Sequence, residues 1–318
     1  MSATFWALNG GNNPSDVVIT AIHGASPATT YPWTIASNGT TAVVCSRVAG
    51  AESNLRLYST SDGVTFVAPS VTDSTSGSYN NKARSAVYAN SKFIIGGSDP
   101  AGAAGHYIDG DSSGASFTLR DDSSGVAGTH GLMWDGSRFL SVGGTKIATS
   151  TTGLNNAWTD ATINAGYNFY GLAFDGTTYV AVGQTGAVYT STNRTTWTAR
   201  TSGTTDLLHS VTYESSIGLF VAVGYGVGVI ITSPDGVTWT SRTNPAVGTF
   251  RKVVWSSAHN KFFAVGNKVV YSDDGITWVA SSYPSVTTFY DIAFIGTTAL
   301  VTTENGKNVY KSDKAFIF

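Results

Sequence analysis

Seven positions carry residue types from which a binding chemistry could be built: Trp33, Arg84, His130, Tyr170, His209, Arg251 and Tyr290. Each opens an apolar run, and all seven are aromatic or cationic. Four of them, Tyr170, His209, Arg251 and Tyr290, follow a Trp by the same 12 residues. Aromatic faces stack on sugar rings, and Arg and His donate hydrogen bonds to hydroxyls and anions. The same side chains could instead pack on one another by cation–π contact and plug an axis. Both readings stand on the sequence alone.

The elements that must position these residues repeat along the chain. The seven positions are spaced by 51, 46, 40, 39, 42 and 39 residues. Each unit holds four short apolar runs. The unit from Tyr170 reads Leu172-Ala173-Phe174, an Asp175-Gly176 turn, Tyr179-Val180-Ala181-Val182-Gly183, Val188-Tyr189-Thr190, and a last run begun by Trp197. Asx-Gly turns between β-branched and aromatic runs are a strong hairpin signal. Four strands per 40 to 50 residues is the period of a propeller blade. The apolar spacing of a helical solenoid does not occur. The expectation is an all-β chain, a seven-bladed β-propeller of four-stranded antiparallel blades, with residues 1–318 forming one domain. Residues 1–32 serve as the closure segment. Within them, residues 3–7 align with residues 64–68 and are expected to pair into the last blade.

The turn between third and fourth runs has its own signature. It reads Ser233-Pro234-Asp235-Gly236-Val237-Thr238-Trp239 and Ser272-Asp273-Asp274-Gly275-Ile276-Thr277-Trp278, with Thr60 to Phe66 close to both. This pattern resembles the Asp-box, or bacterial neuraminidase repeat, S-x-D-x-G-x-T-W, shortened by one residue. The Asp is expected to cap backbone N–H groups of the turn, the Gly to take positive φ, and the aromatic to be buried between blades. The family includes sialidases, so the resemblance raises a degenerate glycosidase as one reading. The Arg-Ile-Pro motif of sialidases is absent, and only three Glu are present, Glu52, Glu214 and Glu304. A glycosidase needs two carboxylates facing one another, and the Asp residues here fall in turns. No phosphate loop, zincin or hydrolase motif occurs. The five His are scattered, and the single Cys45 excludes a Cys-based zinc site. No catalytic residue, cofactor or metal site is expected.

Insertions concentrate in the first two units. Their second-to-third-run connections span residues 47–54 and 98–105, and the link from Phe66 to Arg84 is also long. These loops fall on the same face as the seven opening residues, and Arg47, Glu52, Tyr79, Asp99 and His106 are their candidate contact residues. Inserted loops on one face of a repeat protein are often its binding side; tolerant surface drift is the alternative.

Charged residues are 12% of the chain, about half the usual share. A net charge of −2 argues against nucleic-acid binding by bulk charge. No apolar run is long enough to span a membrane, and the N-terminal residues lack the pattern of a secretion signal. Low charge with abundant Gly, Ser, Thr and Asn resembles phage tail or capsid fibres and decoration proteins in style. The leading expectation is a non-enzymatic virion protein, made in a host cytoplasm, that docks on other virion proteins or attaches to a host surface glycan. The alternatives are a bacterial lectin-like or assembly-scaffold propeller, with a cytoplasmic location, and the degenerate sialidase-like enzyme. An oligomer is compatible with all of these.

Overall fold

In the computed structural model the described residues are 17–21, 30–48, 55–73, 82–98, 105–120, 128–153, 157–164, 166–281, 288–303 and 308–313. They form seven sheets arranged as the blades of a propeller. β1 (Val17–Ala21) comes first. Blade 1 holds β2 (Thr30–Ser37), β3 (Ala42–Val48) and β4 (Leu55–Thr60). Blade 2 holds β5 (Ser70–Asp73), β6 (Lys82–Ala89), β7 (Lys92–Ser98), β8 (Gly105–Gly110) and β9 (Ser116–Arg120). Blade 3 is β10 (Gly131–Trp134), β11 (Phe139–Gly143), β12 (Lys146–Ser150) and β13 (Thr159–Thr162). Blade 4 is β14 (Phe169–Phe174), β15 (Tyr179–Gly183), β16 (Val188–Ser191) and β17 (Thr198–Arg200). Blade 5 is β18 (Leu208–Glu214), β19 (Leu219–Gly224), β20 (Ile230–Ser233) and β21 (Thr240–Ser241). Blade 6 is β22 (Phe250–Ser256), β23 (Lys261–Gly266), β24 (Val269–Ser272) and β25 (Val279–Ala280). Blade 7 is β26 (Phe289–Ile295), β27 (Thr298–Thr303) and β28 (Asn308–Ser312), completed by β1.

Why these runs become blades is clearest in the second strands. A continuous apolar run suits a strand buried on both faces. In β23, Phe262 packs toward blade 5 and Phe263 toward blade 7, and both are fully buried. Side chains alternate across a strand, so one run feeds two interfaces. Each such Phe contributes about 1.5–3 kcal/mol by burial. The apolar clusters divide in the same way, each spanning one adjacent pair of blades. Ile35 and Val44 meet Leu300 and Val309 between blades 1 and 7, so the series returns on itself.

β1 pairs antiparallel with β28, Val17 opposite Ser312 and Ala21 opposite Asn308. The N-terminal segment thus closes the ring on the last blade. The strand that does so is Val17–Ala21, whereas residues 3–7, expected in that role, lie outside the described residues.

Two blades depart from four antiparallel strands. Blade 1 has three, and its fourth run is reduced to a bridge in which Ser59 and Val67 exchange both backbone hydrogen bonds at 2.9 Å. Blade 2 has five, because β5 from the long link pairs in parallel with β9. An added outer strand shields a sheet edge that would otherwise be open to another chain.

The lower face carries the capped turns. Asp235 Oδ1 accepts hydrogen bonds from the N–H groups of Val237 and Thr238, each at 2.8 Å, and Ser233 Oγ accepts from Gly236 N–H at 2.8 Å. The Asp274 turn repeats this with Ile276, Thr277 and Gly275. Gly236 sits at φ +74°, and a Cβ there would lie 2.8 Å from Val180 of the preceding blade. Gly therefore answers both a conformation and a close approach. Trp239 and Trp278 donate their indole N–H to the carbonyls of Gly236 and Gly275 at 2.9 Å. Trp278 is buried between blades, but Trp197 and Trp239 are only half-buried, contrary to the expectation of full burial.

Candidate functional site

The opposite face is organised by a β-bulge. In β14, Phe169 pairs with Gly183 and Gly171 with Val182, which leaves Tyr170 as an extra residue. The same shift isolates Trp33, Arg84, His209, Arg251 and Tyr290 in their first strands. His130 lies just before β10 and donates its N–H to Val142 O at 2.7 Å. A bulge bends the strand and re-aims one side chain. The residue before it anchors the strand: Phe169, Leu208, Phe250 and Phe289 are fully buried. The next strand presses close behind. A Cβ at Gly224 or Gly266 would fall within about 2 Å of the carbonyl of Leu207 or Thr249, which only glycine avoids.

The residue after the bulge ties blade to blade. Ser85 Oγ accepts from Leu132 N–H at 3.0 Å, and Ser210 Oγ from Val253 N–H at 3.2 Å. At the junction of blades 7 and 1 the same place holds Asp291, which is 4% exposed. Its Oδ2 accepts from Thr34 Oγ1 at 2.7 Å and Ile35 N–H at 3.3 Å, and its Oδ1 lies 3.5 Å from Lys252 Nζ.

Six of the seven opening residues, Arg84, His130, Tyr170, His209, Arg251 and Tyr290, line one axial cavity of about 700 Å³. The seventh, Trp33, opens blade 1 at the equivalent bulge. His130 meets Tyr170 edge-on at 4.7 Å, and Tyr170 stacks with His209 at 5.4 Å. His209 contacts Tyr225 at 5.7 Å, and the Arg251 guanidinium lies 5.2 Å from Tyr225 and 4.3 Å from Tyr290. The wall is thus a continuous band of rings and cations, and the six side chains are half-buried around open space. Cation–π packing and a cavity coexist, where the sequence offered them as alternatives.

Burial, reinforced by Arg84 and then His209, pushes the His130 imidazole down to about 3. Burial and then Arg251 push His209 down to about 4. Both rings are neutral near pH 7. His209 Nδ1 is 2.9 Å from the Arg251 carbonyl, so its N–H donates there and Nε2 is left as an acceptor. The charged groups on the wall are Arg84, Arg251, Lys252 and Asp291, three cations against one carboxylate.

Of the loop residues proposed from sequence, only two fall on described elements. Glu52, Tyr79 and Asp99 lie outside them; Arg47 and His106 sit on β3 and β8, paired through their backbones with Tyr31 and Gly97. Tyr225, Lys252 and Asp291 were missed by sequence reasoning. Tyr225 is recoverable from the aromatic just after Ala222-Val223-Gly224, where other units have Gln184 or Asn267. Glu214 is on the lower face, accepting from Ser216 N–H at 2.9 Å within its turn, and Glu304 lies outside the described residues. No cluster of three or more metal-ligating side chains occurs among the described residues.

No family model matches the chain, and no curated protein matches it. Solved structures do. One, "YCF48 bound to D1 peptide", superposes with a TM-score of 0.67 at 16% identity, covering 97% of this chain and 99% of that one. A second, YCF48 from Cyanidioschyzon merolae, gives a TM-score of 0.63 at 14% identity, covering 91% and 97%. These likenesses establish the fold along nearly the whole chain. They also correct the leading functional expectation. The structures it resembles are YCF48 proteins rather than virion components, so the phage attachment role and the virion location drawn from compositional style are set aside. Composition of this kind reflects many tight turns in a propeller and carries no address.

Proposed function

We propose that this chain is a non-enzymatic binding propeller of the assembly kind, which holds an acidic stretch of an extended polypeptide at the mouth of its axial cavity. The observation that carries the reading is the wall of that cavity: three cations and one carboxylate, interleaved with Tyr170 and Tyr290, with Tyr225 packed against His209 and Arg251. Guanidinium groups favour carboxylates through paired, charge-assisted hydrogen bonds. Arg251 is held between Tyr225 and Tyr290, which lowers the entropy lost on binding. The neutral His209 offers an acceptor that suits a peptide N–H. A YCF48 propeller of the same architecture is seen with D1 peptide bound, which supports a polypeptide occupant over other anions.

The non-enzymatic reading rests on how the carboxylates are used. Asp62, Asp235 and Asp274 cap turns on the lower face, and Asp291 joins two blades. A general acid–base pair needs carboxylates facing a substrate; the capping Asp residues face their own turns, and Asp291, on the cavity wall, is engaged by Thr34, Ile35 and Lys252. The test is fluorescence anisotropy with a labelled peptide of alternating Glu and Ser. The triple variant R84A/R251A/Y290A is expected to lose binding at least tenfold while keeping its thermal midpoint. Equal binding by variant and wild type would refute the reading.

A further inference from the structure

Two valines stand out beside the mouth. Val227 is 75% exposed and Val247 is 78% exposed, more than any other large apolar side chain among the described residues. Val227 lies in the β19–β20 loop, two residues after Tyr225. Val247 lies in the link from blade 5 to blade 6, four residues before Arg251. The two loops touch. A Cβ at Gly228, which sits at φ +85°, would come within 1.9 Å of Asn244 Nδ2 and 2.6 Å of Gly248 O. A Cβ at Gly248 would meet the Lys268 side chain at 2.9 Å. A carboxylate is also present: a Cβ at Gly226, next to Val227, would lie 2.5 Å from Asp206 Oδ2. The two valines are therefore carried on closely apposed loops that also meet Lys268 and Asp206, and Tyr225, two residues before Val227, contacts His209 and Arg251 of the cavity wall.

We infer that Val227 and Val247 form an aliphatic subsite that selects, among acidic polypeptides, those carrying a large aliphatic side chain beside the acidic residue. This rests on the peptide-binding reading of the mouth and gives it a sequence preference. The charge of the neighbourhood argues for the occupant: the positive charges of Arg251 and Lys268, against the single carboxylate of Asp206, favour an acidic side chain, and its extended neighbour reaches the valines. In an extended chain successive side chains lie about 3.3 Å apart along the strand, on alternate sides. An aliphatic residue one or two positions from the acidic one can then cover the pair. Isolated exposed valines need no explanation, but two together at a charged rim mark an interaction surface.

The experiment compares two labelled probes on the full chain by anisotropy, the Glu-Ser alternating peptide and the same peptide with two Ser replaced by Leu. Wild type is expected to bind the Leu-bearing probe about tenfold tighter, equivalent to about 1.4 kcal/mol. The variant V227S/V247S, altered only at exposed positions, is expected to bind both probes as wild type binds the Glu-Ser probe. If the preference for Leu survives in V227S/V247S, or wild type shows none, the subsite is refuted. In that case loss of binding by R84A/R251A/Y290A would still uphold the mouth as the peptide site, so the two failures separate. If sedimentation shows that wild type self-associates and V227S/V247S does not, the valines join two copies of the chain and the subsite is likewise refuted.

Discussion

The two faces of each blade are built on opposite principles. On the lower face, one local motif is repeated with nearly the same contacts. Ser233, Asp235 and Gly236 satisfy their own turn within a few residues, and Ser272, Asp274 and Gly275 do the same. On the upper face the backbone device is repeated, a bulge at the start of six of the seven first strands, while the side chain it presents changes from blade to blade. Its hydrogen bonds run between blades, from Ser85 to Leu132 and from Asp291 to Ile35. The lower face teaches how the blade folds, since its contacts need no neighbour in sequence beyond the turn. The upper face shows where chemistry can vary without disturbing the blade, because in blades 4 to 7 the fully buried Phe169, Leu208, Phe250 and Phe289 anchor the strand just before the bulge.

That division can be broken first at a residue that supports the core. Trp278→Ala removes an indole that is 6% exposed and packs with Phe262 at 6.4 Å. It should cost about 3–5 kcal/mol in urea unfolding and leave peptide affinity unchanged in the folded fraction. On the upper face the largest stability effect should come from Asp291→Ala. It leaves the Ile35 N–H buried without its acceptor and should cost about 2–3 kcal/mol. Asp291 is thus a structural group on the wall of the cavity. Asp235→Ala should cost only about 1 kcal/mol, since it removes a cap from an exposed turn.

A smaller effect sharpens the comparison through pH. His130 and His209 titrate at about 3 and about 4 when folded, against 6.5 when unfolded. The unfolded chain therefore binds more protons between those values, and stability should fall as pH drops from about 6.5 toward 4. The lower-face Asp62, pulled down to about 2 chiefly by the Thr65 and Val64 N–H groups, acts lower. Its contribution is lost only as pH falls below the ordinary carboxylate value toward 2. Replacing both His with Phe should flatten the urea midpoint between pH 6.5 and 4 and leave the steeper loss below it.

The blade period and the start of each blade's first strand were legible because the two signals that mark them are local. A run such as Phe262 to Gly266 records burial on both faces, and an Asp-Gly turn records positive φ. The bulge was not legible, since it exists only in the pairing of two strands. Nor was the parallel addition of β5, because Ser70–Asp73 has no apolar alternation and owes its place to the free edge of β9. The closing strand was sought at residues 3–7 by likeness to a fourth run, whereas β1 is the β-branched run Val17–Ala21 further along. Trp197 and Trp239 read as core residues from their spacing, yet the blade edge leaves one side of each exposed. The charge of the mouth was least legible: low charge describes the chain as a whole, while the cationic character of the mouth comes from Arg84 and the adjacent pair Arg251 and Lys252, brought together from distant blades.

The central claim is that an acidic polypeptide binds at the bulge-built mouth and nowhere on the capped face. The unmodified protein carries its own reporters. His130 and His209 line the mouth, while His259 sits in the β22–β23 turn on the lower face, hydrogen-bonded to Ser256 Oγ at 2.8 Å. Imidazole carbon–proton NMR spectra at pH 7 should be recorded while the Leu-bearing acidic peptide is added. The account predicts that the His130 and His209 signals move together to saturation while the His259 signal stays fixed. Saturable movement of His259 with His130 and His209 unmoved would contradict it.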